Sequence, residues 1–483
     1  MLTVIVRGTF DEAQETMERA RNYAEAFEFR LDLMKNKDLK TLKRLLCIAQ
    51  VPVIFTLRRK DQGGVFQGRE EERKKLLLDR LKLHPSYVDL EYDVAFADQV
   101  PPEVKIISSY HDFKKTPENL SDILKKVQRL PAHIFKIACW AHSSIDALRM
   151  LSFTKSQQNL AGMCMGDYGA LTRILSPISG SSLTYTSLEE EGGTSGQVSL
   201  SELVHTYHFF HLNSQTKIYA LIGEPVDKSI GHACHNQVFR KLQENAVYVK
   251  ISLCPRELSS FFYWIKKLPF AGFSVTMPLK EKLGDFVERM SPQSEKIGAL
   301  NTLIPFQDKW WGHNTDAEGA LDALEQKESV LGKTLLILGA GGAAKAIAFE
   351  GAQRGARILV ANRTYKKAQN VAYQVGGEGY SLEDVKALKY DILVNTTSLG
   401  MTPGIKQVPI DPEGVIPDTT VFDVILSPKE TALIQVAKKK GCNIVYGYEM
   451  YANQAAKQLK IWLKKDLEYS ALLKVVKSFS VSL

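Results

Sequence analysis

Long apolar runs are missing from this 483-residue chain. No stretch approaches the ~20 residues that a membrane-spanning helix needs, which excludes a helical membrane protein. Cysteine is scarce too. Cys47, Cys139, Cys164, Cys234, Cys254 and Cys442 include no Cys-x-x-Cys pair and no zinc-site spacing. A disulfide scaffold or zinc module is therefore excluded, and reduced thiols are the natural reading. Excess charge is small: 62 Lys and Arg against 54 Asp and Glu, a formal net charge of +8, with the basic residues scattered. That balance suits anionic small substrates and gives no nucleic-acid footprint. Met1 is followed at once by the strand-like Leu2-Thr3-Val4-Ile5-Val6, with no targeting pattern in front of it. The expectation is a cytoplasmic protein without a nucleic-acid or membrane partner.

What is present begins with a glycine turn. Leu336-Ile337-Leu338 runs into Gly339-Ala340-Gly341-Gly342-Ala343-Ala344, an apolar strand opening a small-residue helix. Glycines let backbone approach a pyrophosphate, and a helix N-terminus favours the anion. An acidic residue ending the next strand would select a free ribose hydroxyl. Here Asn362-Arg363-Thr364 stand instead, so the expected cofactor is NADP(H).

The motif starts two-thirds of the way along, and a chain of this length holds about three domains. Over the first 190 residues, apolar runs at 2–7, 26–32, 52–58, 87–93, 104–110, 134–140, 159–165 and 182–187 alternate with helical patterns at 11–24, 36–49, 69–82, 117–129 and 143–155. Repeated βα units predict a closed (β/α)8 TIM barrel with its chemistry at the C-terminal strand ends. After a His-rich passage at 205–217, a second α/β pattern predicts helices at 232–243, 280–290 and 451–464 and a strand pair around 299–313. The expected fold class is α/β throughout. Residues 1–212 form the barrel, 213–317 completed by 447–483 an α/β substrate-binding domain, and 318–446 a Rossmann domain.

Glu28, Arg30 and Asp32 share one face of a predicted strand, where three charges are costly unless paired or used. Lys136 interrupts the apolar Ile134-Phe135-Lys136-Ile137-Ala138. Burial disfavours an ammonium, and a neutral amine can attack a ketone to form a Schiff base. Taken alone, the lysine could equally be snorkelling from a barrel end. His111 ends another strand as a candidate proton shuttle, and Arg58 and Arg173 add cations able to clamp a carboxylate.

Together Glu28-x-Arg30-x-Asp32, Thr56-Leu57-Arg58, Ser109-Tyr110-His111-Asp112-Phe113-x-x-Thr116-Pro117 and the strand lysine resemble type I 3-dehydroquinate dehydratase over the whole first half. The resemblance implies an imine between Lys136 and the substrate ketone. His111 would remove the α proton and then assist loss of water, with Glu28 in support. Arg30, Arg58, Arg173 and Gln197 would bind substrate hydroxyls and carboxylate. Gln62 stands where the family has a glutamate, so Asp61 or Glu28 takes over stabilising the imidazolium, or His111 has a lower pKa than usual. The family's Ser-Ala-Pro-Gly-Gln loop reads Gly193-Thr194-Ser195-Gly196-Gln197 here.

In the second half, Lys280 follows a strand, while Asn301-Thr302 and Asn314-Thr315-Asp316 end two more. Each piece alone suits a turn or a helix cap. Jointly, a lysine, an aspartate and two amides near a nicotinamide suit reduction of a ketone on a polyhydroxylated ring. These pieces, with Ile222-Gly223-x-Pro225-Val226-x-x-Ser229, Asn395-Thr396-Thr397-Ser398-x-Gly400-Met401 and Gly447-x-Glu449-Met450-x-x-x-Gln454, resemble shikimate dehydrogenase over 217–465. The resemblance makes Lys280 and Asp316 the catalytic pair. It assigns Ser229, Thr276, Asn301 and Gln454 to shikimate, and Gly339, Ala340, Gly341, Gly342, Ala343, Asn362, Arg363, Thr364, Lys367, Thr396 and Gly447 to NADP(H). Gly231 and Leu426 replace a serine and a tyrosine of the family, with His232 a partial substitute for the lost serine hydroxyl.

The implied activity is dehydration of 3-dehydroquinate to 3-dehydroshikimate and its reduction to shikimate. The alternatives are a quinate or broad-specificity dehydrogenase in the second half, or a non-catalytic metabolite-binding module there.

Overall fold

A computed structural model describes residues 1–188, 196–307, 309–401, 403–466 and 469–480. The chain forms two compact units, Met1–Ile218 with Gln243–Phe270, and Tyr219–Leu242 with Ala271–Leu483.

The first unit is built on eight parallel strands: β1 Leu2–Gly8, β2 Ala26–Met34, β3 Val53–Thr56, β4 Tyr87–Glu91, β5 Lys105–Asp112, β6 Ile134–Trp140, β7 Leu160–Met165 and β8 Thr184–Thr186. They neighbour in the order β7-β6-β5-β4-β3-β2-β1-β8. This is the predicted barrel with one difference: among the described residues no ladder joins β7 to β8, and the barrel is nearly rather than fully closed. A backbone bond from Ser182 to Leu160, 2.9 Å, crosses beside that seam. Alternation does the sorting. In β2, Phe27, Phe29 and Leu31 pack as buried apolar side chains, which leaves the opposite face to Glu28, Arg30 and Asp32. Cys139 and Cys164 oppose each other across β6 and β7 as free thiols. The segment 243–270 of this unit carries β10 (Ala246–Ser252).

In the second unit, β9 (Lys217–Gly223), β11 (Phe270–Val275), β13 (Thr302–Phe306), β14 (Lys309–His313) and β12 (Arg289–Met290) lie side by side in that order. The helix expected over 280–290 does not form. Lys280 gives its carbonyl to Leu300 N at 2.7 Å, Glu288 N goes to Trp310 O at 2.9 Å, and Gly284 begins a single 3₁₀ turn, so the backbone is spent on neighbours. The helix predicted at 451–464 is longer, Gly447–Leu463.

The last sheet is wholly parallel: β15 Thr334–Leu338, β16 Arg357–Ala361, β17 Glu378–Tyr380, β18 Ile392–Asn395, β19 Thr420–Asp423 and β20 Asn443–Tyr446. Its order is β17-β16-β15-β18-β19-β20, a doubly wound arrangement whose switch point falls between β15 and β18. Leu335 and Ile337 enter one core while Leu336 and Leu338 enter another, one on each face of the sheet. A strand covered on both faces reads as an unbroken apolar run. Among the described residues, no helix is long and apolar enough to cross a membrane.

Candidate active sites

One cavity of the barrel, of about 80 Å³, gathers seven of the barrel residues singled out above: Glu28, Arg30, Arg58, His111, Lys136, Arg173 and Gln197. Lys136 is not surrounded by the apolar side chains its own strand suggests. Its Nζ donates to Asp89 Oδ2 at 3.0 Å and lies 3.9 Å from Glu28 Oε1 and 4.1 Å from the centre of the Tyr185 ring. Thr56 Oγ1 donates to Glu28 at 2.8 Å and fixes that carboxylate.

The three arginines differ in what they have left to offer. Arg30 is held by both oxygens of Asp32, at 2.9 and 2.7 Å. Arg58, 4% exposed, reaches Asp89 at 2.8 Å, Glu91 at 3.4 Å and Ser109 at 2.8 Å. Burial would lower its pKa, but Asp89 and Glu91 outweigh that and raise it. Arg173 is buried with no carboxylate partner among the described residues. Its Nε donates to Gly196 O at 3.2 Å, and burial pulls its pKa down to about 10. A buried guanidinium without a counter-ion calls for an anion in the cavity.

His111 N donates to Gln62 Oε1 at 3.1 Å, and its Nδ1 meets no hydrogen-bond partner among the described residues. Burial, then Arg58 and Lys136, holds its pKa well below 6.5. Asp61 is not in this cavity. It pairs with Arg59 at 3.2 Å and its side chain is 63% exposed, so it does not serve His111. Gln197 brings a side-chain amide whose nitrogen and oxygen both lack a partner among the described residues. It is set there by Gly196, which has φ +80° and where a Cβ would stand 1.8 Å from Gly166 O. Thr194 and Ser195 lie outside the described residues.

In the second unit, Lys280 Nζ donates to Asp316 Oδ2 at 2.5 Å. Asn301 Nδ2 donates to Asp316 Oδ1 at 2.8 Å and to Thr315 Oγ1 at 2.9 Å, while its oxygen accepts from Thr315 N and Thr302 Oγ1, both at 2.8 Å. Asn301, expected on substrate, thus spends its amide on the aspartate and its neighbours. Asn314 is a helix cap: its oxygen takes the N–H groups of Asp316 and Ala317 at 3.0 and 3.1 Å. Ser229 Oγ accepts from Gly231 N at 3.1 Å, and His232 Nδ1 lies 3.1 Å from Ser229 O. Thr276 directly follows β11, and Gln454 sits where helices Asp316–Glu325 and Gly447–Leu463 meet: a Cβ on Gly319 would stand 2.7 Å from Gln454 N.

The glycine turn fits NADP(H) on structural grounds. Gly339 has φ +114°, and a Cβ there would stand 2.4 Å from Thr396 Oγ1, which is anchored on Leu338 O at 2.6 Å. A Cβ on Gly341 would meet nothing, so space is open in front of helix Gly342–Gln353, whose first N–H groups carry no side-chain cap. Asn362 begins the turn after β16 with its Nδ2 on Thr364 O at 3.1 Å, and Arg363, Thr364 and Lys367 are exposed there. At Gly342 a Cβ would lie 3.5 Å from the Lys280 side chain, which brings the cradle to the Lys280–Asp316 pair. Gly447 must be small as well, since a Cβ would lie 2.3 Å from Ile425 O. Gly339→Val should therefore destabilise this unit by about 1–3 kcal/mol and weaken NADPH binding at least roughly tenfold. A fluorescence titration with NADPH beside a thermal melt checks both, and wild-type affinity would contradict the assigned cradle.

Several residues of these sites escaped the sequence reading. Asp89 and Glu91 alternate on β4 as Glu28 and Arg30 do on β2, and that same signal would have found them. Tyr185 carried none, being one aromatic among many. Gln458, four residues beyond Gln454 on one helix face, accepts from Ser274 Oγ and donates to Thr302 Oγ1, each at 2.7 Å, tying that helix to the sheet. Asp423 takes Asn395 at 3.1 Å and Thr431 at 2.7 Å, and burial pushes its pKa up to about 6.

Family profiles match three segments: type I 3-dehydroquinase over 1–214, the shikimate dehydrogenase substrate binding domain over 221–303, and shikimate / quinate 5-dehydrogenase over 322–404. The chain is 34% identical to the bifunctional 3-dehydroquinate dehydratase/shikimate dehydrogenase, chloroplastic, of Arabidopsis thaliana, across 91% of this chain and 77% of that protein. It is 33% identical to the shikimate biosynthesis protein AroDE of Chlamydia pneumoniae, across 96% of this chain and 95% of the relative. Among solved structures, a shikimate dehydrogenase in complex with NADP+ matches with TM-score 0.53 and 33% identity, over 56% of this chain and 97% of that one. The Thermus thermophilus enzyme with NADP(H) and shikimate matches with TM-score 0.51 and 28% identity, over 55% of this chain and 99% of that one.

Proposed function

This chain belongs to the family of bifunctional 3-dehydroquinate dehydratase/shikimate dehydrogenases, and from that premise we propose how its residues divide the work. The enzyme dehydrates 3-dehydroquinate to 3-dehydroshikimate and reduces that product to shikimate with NADPH.

In the barrel, Lys136 forms the imine with the ketone, which acidifies the neighbouring C–H. His111 takes that proton and then returns it to the departing hydroxyl as water leaves. Arg173 receives the substrate carboxylate, and Gln197 meets a ring hydroxyl. Glu28 orders the polar side of the cavity, with Arg30 and Arg58 bordering the substrate while held by their own carboxylates. The observation that carries the reading is the convergence of an amine, a buried imidazole and a buried guanidinium with no carboxylate partner among the described residues on one cavity.

His111 is neutral, and able to accept a proton, down through its ordinary pKa of 6.5, because burial with Arg58 and Lys136 lowers it. Gln62→Glu places a carboxylate at the His111 main-chain N–H, in the same cavity as the ring, and its charge favours the imidazolium. The acid limb of the dehydratase kcat/KM profile should then move up by about one pH unit. A limb that stays put would speak against His111 as the base.

In the second unit, NADPH when bound supplies a hydride for the ketone carbon. Lys280 gives the ketone oxygen its proton, and Asp316 holds Lys280 in place while itself held by Asn301. Ser229, Thr276 and Gln454 contact substrate hydroxyls and carboxylate. The glycine turn, Gly339 to Ala343, with Thr396 and Gly447 holds the pyrophosphate and nicotinamide ends. Asn362, Arg363, Thr364 and Lys367 take the 2′-phosphate.

We infer the domains as 1–212, 213–317 completed by 447–483, and 318–446, supported by the separate sheets and the matched segments. The inferred compartment is the cytoplasm, whose reducing conditions suit six free thiols.

One mixture tests the whole reading: pure protein with 3-dehydroquinate and NADPH. Enone absorbance should rise, and NADPH absorbance should fall behind it. Accumulating 3-dehydroshikimate with constant NADPH would make the second half a binding module. Comparing kcat/KM for shikimate and quinate decides between the two acids.

A further inference from the structure

Alternate strands of the barrel send four side chains to one level: Glu28 from β2, Asp89 from β4, Lys136 from β6 and Tyr185 from β8. Lys136 is at the centre of this layer, and the reading above gives work to only two of the four. We propose that Asp89 and Tyr185 are positioning residues of the dehydratase, gripping the Lys136 nitrogen from two sides so that the iminium forms in a single orientation. The proposal rests on the Schiff-base reading of Lys136.

The chemistry of the step creates the need. R–NH₃⁺ and O=C become R–NH⁺=C and H₂O, so the nitrogen stays cationic while its three hydrogens fall to one. An ammonium can share its hydrogens among several acceptors. The planar iminium has a single N–H, and the acceptor that takes it sets the plane of the C=N bond. Asp89 Oδ2 is at hydrogen-bond distance, 3.0 Å, whereas Glu28 is 3.9 Å away and already engaged by Thr56.

Asp89 cannot turn aside. Ser109 Oγ donates to its Oδ1 at 2.6 Å, and Arg58 holds its Oδ2 at 2.8 Å. It also stays an anion: burial would raise its pKa, but Arg58 and Lys136 outweigh that and keep it well below the usual carboxylate range. On another side, the Tyr185 ring presents its face to the Lys136 nitrogen, 4.1 Å from the ring centre, and ring faces attract cations. The buried Tyr185 hydroxyl meets no hydrogen-bond partner among the described residues. What this residue offers the lysine is therefore its ring.

The test uses the full-length chain with Asp89→Asn, Tyr185→Phe and Tyr185→Leu. Each is assayed for steady-state dehydration and for the rate at which borohydride with 3-dehydroquinate captures Lys136. Asp89→Asn should lower kcat about 100-fold, as misplaced reacting groups do, with KM within about threefold of wild type and slower capture to match. Tyr185→Phe keeps the ring and should stay within about twofold of wild type, while Tyr185→Leu should lose about tenfold in kcat. Wild-type kcat in Tyr185→Leu overturns the proposal, as does wild-type capture in Asp89→Asn. Equal losses in the Phe and Leu variants overturn it too, because the hydroxyl would then be the working group. Should Asp89→Asn fail to fold, the tyrosine pair decides, since neither change unpairs a hydrogen bond. Absence of any captured Lys136 in the wild-type enzyme would instead remove the Schiff-base reading itself.

Discussion

Replacing Lys136 with alanine is expected to abolish dehydration, with kcat/KM falling on the order of 10⁴-fold or more, as losses of covalent catalysts do. Among the described residues, no other amine lines the cavity. The remaining cations, Arg30, Arg58 and Arg173, are guanidiniums, which stay protonated and do not attack ketones. The barrel should survive the change. Asp89 keeps Arg58 at 2.8 Å and Ser109 at 2.6 Å, and Glu28 keeps Thr56 at 2.8 Å, so neither carboxylate is stranded. NADP-dependent oxidation of shikimate, measured on the same sample, should equal wild type. That split, one activity gone and the other intact, is the readout. Residual dehydration within tenfold of wild type would refute the imine mechanism, and parallel loss of both activities would point to misfolding.

Lys280→Ala should lower the dehydrogenase kcat on the order of 10³-fold, within the range for removing a positioned proton donor. The substitution is structurally mild. Lys280 is bonded to Asp316 Oδ2, and Asp316 retains Asn301 on its other oxygen at 2.8 Å while Asn314 continues to cap the helix that begins there. NADPH affinity should stay within about threefold, because the pyrophosphate cradle is made by backbone at Gly339 to Ala343. Dehydration should be untouched. Stopped-flow or steady-state loss of NADPH absorbance with 3-dehydroshikimate, beside an NADPH titration, separates chemistry from binding. A kcat within a few-fold of wild type would mean that the proton comes from elsewhere.

Much of this molecule was legible along the chain. The eight barrel strands fall within a few residues of their predicted places, and the Gly339 turn opens a helix at the switch point of a doubly wound sheet as expected. These features depend on short-range rules: alternation in strands, apolar runs where both faces are covered, and glycine where φ is positive or a side chain would collide. Where those rules were read too simply, the structure departs. Residues 280–290 carry a helix-like pattern, yet Lys280, Glu288 and Gly284 commit their backbone to a turn because Leu300 and Trp310 compete for the same hydrogen bonds. Asp61 looked like a substitute for the missing glutamate, but Arg59 claims it.

The motifs along the chain were enough to indicate the reaction classes and the NADP preference and to single out Lys136, His111, Lys280 and Asp316 as candidates, through their joint resemblance to two enzyme families rather than through any one residue. How charge is distributed among the site residues is set by packing in three dimensions. Arg30, Arg58 and Arg173 read alike in the chain. Folding pairs two with carboxylates and, among the described residues, leaves Arg173 without one, which is why the proposal gives Arg173 the substrate carboxylate. Asp89 and Tyr185, 47 and 49 residues from Lys136 in the chain, meet it only because alternate barrel strands stack side chains on one level. Coulombic and ring-face interactions act over a few ångströms of space whatever the separation in sequence. Partners brought together by strand order are therefore invisible until the strands are in place.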